Sequence, residues 1–186
     1  MLAEDFKPKY IFFPHYSQII PPELHDNYTC VVFHMADLPC GRGGTPLQNH
    51  ILRGVDHIPL CALKVNEVID GGPVYTSRNL CLNGSAEEIY IRARNLVDEM
   101  IDDIVNNELE PQPQEGRVSY FKRRKPEQSN MTEVEGLESC YDFIRMLDAE
   151  GYPHAYLENR NLKFEFTRAS LKKGYILADV KIKSIT

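Results

Sequence analysis

The chain has 186 residues, of which 42% are hydrophobic and 26% are charged, and its formal net charge is -6. This balance is typical of a globular protein with one ordinary domain or one domain plus a small appendage; it argues against membrane-spanning segments and gives no general reason to expect nucleic-acid binding. The five cysteines are scattered and never form a Cys-x-x-Cys pair, so we expect free thiols in a reducing, cytoplasmic compartment, without a disulfide framework or a zinc site.

The first two apolar runs predict strands. Tyr10–Phe13 and Thr29–Phe33 are short and rich in aromatic or β-branched residues, which indicates fully buried strands of a parallel sheet. Between them, Pro21–Asp26 suits a short helix with proline in its first turn.

A helix and two more strands follow. Thr45 is placed to cap a helix from Pro46 to about Arg53, which Gly54 closes. The apolar run from Ile58 to Val65 predicts a third buried strand, and "VYTSRNL" after a Gly-Gly-Pro break predicts an edge strand.

The longest predicted helix has the clearest start signal. Ser85 and Glu88 form a capping box, and apolar residues follow at helical spacing. These are Ile89, Ala93, Leu96, Val97, Met100, Ile101 and Ile104. The alternation of strands and helices over residues 1–108 predicts a layered α/β domain.

The chain changes character after this helix. Residues 109–130 are polar, contain prolines and lack apolar periodicity, so we expect a linker. Residues 131–186 begin with a helix near 137–148 and continue with three alternating segments, "HAYLE", "LKFEFTRA" and "YILADVKIK", which predict antiparallel strands. The tail is therefore expected to be a small α+β or partial-barrel domain.

Two polar residues follow buried strands, where a parallel sheet usually places its active site. His34 comes directly after the second predicted strand, and Asp70 comes after the third. A histidine and an aspartate on adjacent strand ends form a general-base pair if the carboxylate orients the imidazole. The alternative is that His34 is a capping or hydrogen-bonded core histidine and that Asp70 only begins a turn.

The longer segments around these two residues resemble a known family. "VVFHMADLPCGRGGTPLQNHILRG" followed by "IPLCALKVNEVIDGGPVY" resembles the folate-dependent formyltransferases, in the family's order and across nearly all of residues 8–108. The tail, with "YFKRRKPEQS", is similar to their linker and C-terminal domain, and is closest to the sugar-nucleotide N-formyltransferases. The resemblance implies a partial Rossmann-like formyltransferase domain and a small C-terminal, OB-like α+β domain.

The resemblance also implies a reaction. 10-Formyltetrahydrofolate would donate its formyl group to a primary amine, most simply an amino sugar carried on a nucleotide, with no metal. The alternatives are an enzyme like methionyl-tRNA formyltransferase, or a non-catalytic binding or dimerisation module. The acidic balance disfavours tRNA, because tRNA binding needs a positive surface. A second copy of the chain is a further candidate partner, and no membrane partner is expected.

The family's functional positions map onto this sequence. His34 and Asp70 would be catalytic, with Asp70 tuning His34 and helping to move a proton. The glycine loop would bind the acceptor, with Arg42 on its phosphates and small neighbours that let a ligand approach the backbone. These acceptor-binding residues are Arg42, Gly43 and Gly44. The pterin would lie against two segments, Gln18, Ile19 and Ile20, and Asn66, Glu67, Val68, Ile69 and Asp70.

Two departures from the family pattern stand out. The family's asparagine two residues before the histidine is Val32 here, so a side-chain donor to the developing oxyanion is missing, and Asn27 lies at the wrong end of the strand to replace it. Such a donor typically contributes a factor of about a hundred or more in rate. The family's first strand-helix-strand unit is also missing, so we expect an N-terminally truncated domain or one completed by a partner.

Overall fold

The computed structural model describes residues 7–185, which form two compact units. The first unit contains the described residues up to Pro46, together with His57–Leu80 and Arg92–Lys122. The second contains Leu47–Asp56, Cys81–Ile91 and the described residues from Arg123 onward. The cut after Lys122 falls inside the stretch 109–130 that the sequence predicts as a linker.

Most of the helices and strands match predicted elements, whereas two short strands (Arg42–Gly43 and Tyr120–Phe121) and a 3-10 helix (Pro126–Ser129) were not predicted. In chain order the elements are β1 (Tyr10–Phe13), α1 (Pro22–His25), β2 (Thr29–Met35), β3 (Arg42–Gly43), α2 (Pro46–Ile51), β4 (His57–Lys64), β5 (Val74–Cys81), α3 (Ala86–Asn106), β6 (Tyr120–Phe121), a 3-10 helix (Pro126–Ser129), α4 (Leu137–Arg145), β7 (Ala155–Glu158), β8 (Leu162–Lys172) and β9 (Tyr175–Ser184). The predicted mixed α/β fold is confirmed.

The main sheet of the first unit has the strand order β1-β2-β4-β5. β1 and β2 are parallel, whereas β2 and β4 are antiparallel, with His34 opposite Cys61. The prediction that all of these strands are parallel is therefore wrong. Four consecutive residues of β4 are buried because both of its faces are covered, and that apolar signature does not depend on strand direction.

The first strand is also less buried than predicted. All four residues of β1 are half-buried, because β1 is an edge strand with a single neighbour in the described sheet. β5 lies at the opposite edge, as predicted. The sheet's core consists of fully buried apolar residues of the central strands, among them Val31, Leu60 and Leu63.

A second, two-stranded sheet lies in the same unit. β3 runs parallel to β6, with Arg42 opposite Tyr120 and Gly43 opposite Phe121. Gly43 has a φ of 93°, and a Cβ there would lie 2.7 Å from the carbonyl oxygen of Phe121. Glycine is therefore required for residues 120–121 to pair beside the glycine loop.

The second unit contains the predicted capping box and the C-terminal sheet. The backbone N–H of Ser85 donates to Oε2 of Glu88 at 2.8 Å, and the N–H of Glu88 donates to Oγ of Ser85 at 3.3 Å. β7, β8 and β9 form an antiparallel three-stranded sheet, and α4 packs against β8. The small C-terminal α+β fold follows the prediction.

Candidate functional site

His34 is a buried side chain inside β2, one residue before its end, and not directly after the strand as the sequence predicted. Its Nε2 lies 2.9 Å from the carbonyl oxygen of Gly41, and its Nδ1 lies 3.4 Å from Oδ2 of Asp70. The two residues that the sequence singles out therefore lie side by side.

Both ring nitrogens of His34 face oxygen atoms that accept hydrogen bonds. A carbonyl oxygen cannot donate, so the 2.9 Å contact with Gly41 requires a hydrogen on Nε2. The ring therefore presents an N–H to the backbone at Nε2 and places Nδ1 beside the Asp70 carboxylate.

Asp70 lies in the loop between β4 and β5. β4 ends beside Val31 of β2, and the N–H of Lys64 donates to the carbonyl oxygen of Pro73, which closes this loop. Oδ2 of Asp70 also accepts a hydrogen bond of 2.9 Å from the N–H of Gly43. The contact between Asp70 and His34 therefore depends on this loop. It does not arise from two parallel strands that end at the same edge of the sheet.

The predicted acceptor-binding residues are hydrogen-bonded inside the unit. The Arg42 guanidinium is buried and donates to Gln114, the N–H of Gly43 bonds to Asp70, and the N–H of Gly44 donates to the carbonyl oxygen of Phe121 at 3.2 Å. The space beside Gly43 is filled by Phe121. Contact of Arg42 with an acceptor's phosphates stays a prediction.

Two residues of the predicted linker take part in the site. Nε2 of Gln114 donates to the carbonyl oxygens of Asp70 and Gly72, at 2.8 Å and 2.7 Å. Oγ of Ser119 accepts from the N–H of Gly41 at 2.9 Å. Sequence reasoning missed both residues because the stretch lacks apolar periodicity. The short apolar group Val118, Tyr120 and Phe121, of which Phe121 is buried, was the available signal that this stretch packs against the domain.

The two segments expected to hold the pterin are mostly exposed. Ile19 is 77% exposed and Ile20 is buried, while Val68 and Ile69 are 41% and 56% exposed. The backbone N–H of Val68 donates to Oδ1 of Asn66 at 3.0 Å, and this bond holds the loop. The loop thus exposes two apolar side chains directly before Asp70. Contact of either segment with a pterin stays a prediction.

Neither Val32 nor Asn27 provides the side-chain donor that the family's asparagine would supply. Val32 is half-buried and lies on the same face of β2 as His34, because alternate residues of a strand share a face. The side chain of Asn27 donates to the carbonyl oxygen of Glu23 at 2.9 Å, so it is engaged elsewhere.

Residues 7–185 contain neither a metal site nor a membrane-spanning helix. No cluster of three or more histidine, cysteine or acidic side chains in this range has the arrangement of a metal site. None of the helices in the same range is long and apolar enough to cross a membrane.

Comparison with known proteins identifies similar chains. Residues 126–183 match the family model described as methionyl-tRNA formyltransferase, C-terminal domain. A solved methionyl-tRNA formyltransferase from Clostridium thermocellum is 49% identical, with a TM-score of 0.95, over 98% of this chain and 81% of that one.

A curated relative from Campylobacter lari, also a methionyl-tRNA formyltransferase, is 29% identical over 85% of this chain and 52% of its own length. The chain therefore spans about half the length of this curated relative.

A 4-N formyltransferase also shares the fold, at lower identity. The 4-N formyltransferase from Francisella tularensis has a TM-score of 0.67 and 20% identity, over 85% of this chain and 69% of that one. At this level of identity the likeness concerns the fold alone. The comparisons at higher identity thus favour the tRNA-modifying alternative over the amino-sugar acceptor.

Proposed function

The chain belongs to the folate-dependent formyltransferase family, and from this premise we propose that it transfers a formyl group from 10-formyltetrahydrofolate to a primary amine. The observation that carries the proposal is the contact of 3.4 Å between Nδ1 of His34 and Oδ2 of Asp70, two residues that lie in the segments resembling the family's motifs. Formyl transfer needs a group that manages the amine's proton, and this pair is suited to that work.

For the acceptor, we propose the amino group of a methionine attached to tRNA. The relatives at 49% and 29% identity carry this activity in their names, and the family model over residues 126–183 is that of a methionyl-tRNA formyltransferase C-terminal domain. The net charge of -6 requires that any contact with tRNA be local, because phosphate binding depends on clustered positive side chains.

An amino sugar on a nucleotide is the second candidate acceptor. Two sequence features favour it: the "RRKPEQS" stretch, which is closest to the sugar-nucleotide enzymes, and the acidic balance of the chain. The basic run Lys122–Lys125, which overlaps this stretch, gives only partial support to tRNA as the acceptor. Arg124 in this run lies over the ring of Phe143, and burial lowers the pKa of its guanidinium.

The folate would lie against the loop from Asn66 to Asp70. When bound, 10-formyltetrahydrofolate supplies the formyl carbon that the amine attacks. Val68 and Ile69 present apolar surface that the flat ring of a pterin would cover.

His34 and Asp70 would divide the remaining work. Once the contact with Gly41 opens, the N–H at Nε2 of His34 donates a hydrogen bond to the formyl oxygen, where negative charge develops. The Asp70 carboxylate accepts the proton that the amine releases, and this proton passes to the folate nitrogen when its bond to the formyl carbon breaks. This division makes His34 the principal source of oxyanion stabilisation, since Val32 offers no donor.

The test is a transfer assay with the formyl group isotopically labelled. The purified chain is incubated with labelled 10-formyltetrahydrofolate and, in separate reactions, with methionyl-initiator tRNA or an amino sugar nucleotide. We expect label on the methionine of the tRNA, with a rate that falls as salt increases. Label on the amino sugar alone would overturn the acceptor. Folate binding without transfer to either amine would support the non-catalytic module.

A further inference from the structure

The side-chain amide of Gln114 joins Arg42 to the backbone of the Asp70 loop. Its Oε1 accepts from Nε and Nη2 of Arg42 at 3.2 Å and 2.8 Å, and its Nε2 donates to the carbonyl oxygens of Asp70 and Gly72. A guanidinium only donates and carbonyl oxygens only accept, so one amide orientation satisfies every contact. Gln114 comes from the stretch predicted as a linker.

The backbone that Gln114 holds is an unusual one. Asp70 has a φ of 50°, in the left-handed region that residues with a side chain disfavour. Gln114 bonds to the carbonyl oxygen of Asp70 itself and to that of Gly72 two residues later. The two bonds hold the peptide groups that follow Asp70 and Gly72, and so restrain the backbone that carries the Asp70 carboxylate.

The Asp70 carboxylate must keep one orientation to make both of its contacts. Its Oδ2 meets both the N–H of Gly43 at 2.9 Å and Nδ1 of His34 at 3.4 Å. A displacement of about 1 Å at such a site costs on the order of a hundredfold in rate. The buried charge of Arg42 keeps the Gln114 amide in the orientation that serves both carbonyl oxygens.

We propose that Gln114 is a positioning residue, which aims the Asp70 carboxylate at His34 by holding the carbonyl oxygens of residues 70 and 72. The role rests on the proposed formyl transfer. Gln114 does not contact the reacting groups; it acts through Asp70, with Arg42 as its anchor.

The test substitution is Gln114→Glu. It keeps the length of the side chain and an oxygen for Arg42, but it replaces the two N–H donors with an oxygen that faces two carbonyl oxygens. We expect kcat for formyl transfer to fall about ten- to a hundredfold, with both KM values within about twofold of wild type. The pH profile of kcat should also differ from that of wild type, because the displaced carboxylate no longer meets the amine's proton in the same geometry.

Gln112→Glu is the matched control. Gln112 is exposed, and its side chain donates to the carbonyl oxygen of Glu110 at 3.3 Å, so the same change of charge is made two residues away. We expect this variant to keep the wild-type kcat and pH profile. If wild type transfers formyl groups and the two variants have the same kcat and pH profile, the positioning role is overturned and the proposed function stands.

Two further outcomes separate the positioning role from the function and from stability. Absence of transfer by wild type would overturn both proposals. If Gln114→Glu does not fold, Gln114→Met removes the donors without adding charge and is assayed in its place. Failure of both variants to fold would assign Gln114 to stability and overturn the positioning role.

Discussion

Gly43 and Asp70 are joined by a hydrogen bond of 2.9 Å, from the backbone N–H of Gly43 to Oδ2 of Asp70. The same oxygen faces Nδ1 of His34, so one carboxylate oxygen connects the glycine loop with the histidine. Asparagine at position 70 can keep an oxygen for the N–H of Gly43 but loses the negative charge. The folded state and the chemistry can therefore be separated by a single substitution.

We expect Asp70→Asn to reduce kcat for formyl transfer by about 10²- to 10⁴-fold, the usual contribution of a positioned acid or base. Its thermal unfolding should remain close to that of wild type. Asp37→Asn, a change of an exposed aspartate in the adjoining segment, is the control and should leave kcat unchanged. Equal rates for the two variants would remove Asp70 from the chemistry.

Val32→Asn should restore the side-chain donor that the family pattern places beside the histidine. Since residue 32 shares a strand face with His34, the new amide would lie on the correct side of the sheet. We expect kcat to rise about ten- to a hundredfold relative to Val32→Ala, which shortens the same side chain without adding a donor. A Val32→Asn variant that folds but is no faster than Val32→Ala would show that another group already fills this role.

Gly72→Ala should destabilise the loop that carries Asp70. A Cβ at Gly72 would lie 1.7 Å from the carbonyl oxygen of Lys64, so backbone must move to make room. We expect the free energy of unfolding to fall by about 2 kcal/mol or more, measured by urea denaturation.

Gly54→Ala is the control for this loss. Its φ is 67°, but a Cβ there meets nothing within 4 Å, so only the backbone cost of about 1 kcal/mol is expected. Equal losses for Gly54→Ala and Gly72→Ala would contradict the close approach to Lys64.

The cysteines should differ widely in reactivity. Burial raises the pKa of the Cys61 thiol to about 11, so only about one molecule in a thousand carries the thiolate there at pH 8. Cys40 is exposed. We expect iodoacetamide at pH 8 to label Cys40 first and Cys61 last, as followed by peptide mass spectrometry.

Unfolding in urea provides the control for this order. It should remove the difference between the two thiols, because both then have ordinary thiol pKa values. Early labelling of Cys61 in the native protein would contradict its burial beside the site.

Local signals predicted most of the secondary structure. The capping box of Ser85 and Glu88 marks a helix start within four residues of sequence, and the apolar run of β4 marks a covered strand. The direction of β4 was predicted wrongly, because the same apolar run suits a parallel or an antiparallel central strand. The family, inferred from motif order around His34 and Asp70, was confirmed.

The hydrogen bonds that support the site could not be predicted from the sequence. Gln114 bonds to Arg42 across 72 positions, and Ser119 bonds to Gly41 across 78. Hydrogen bonds between such distant positions leave no periodic pattern, and a polar stretch looks the same whether it is solvated or packed against a domain. The molecule that accepts the formyl group was also hard to predict, since an amine reacts in the same way whatever molecule carries it.

The most direct test of the account is the initial rate of label transfer from labelled 10-formyltetrahydrofolate to methionyl-initiator tRNA, measured side by side for wild type and His34→Ala. The account predicts steady transfer by wild type and a loss of at least about a hundredfold for His34→Ala, with the variant still folded by circular dichroism. Transfer by wild type that survives unchanged in a folded His34→Ala variant would contradict the assignment of the chemistry to His34.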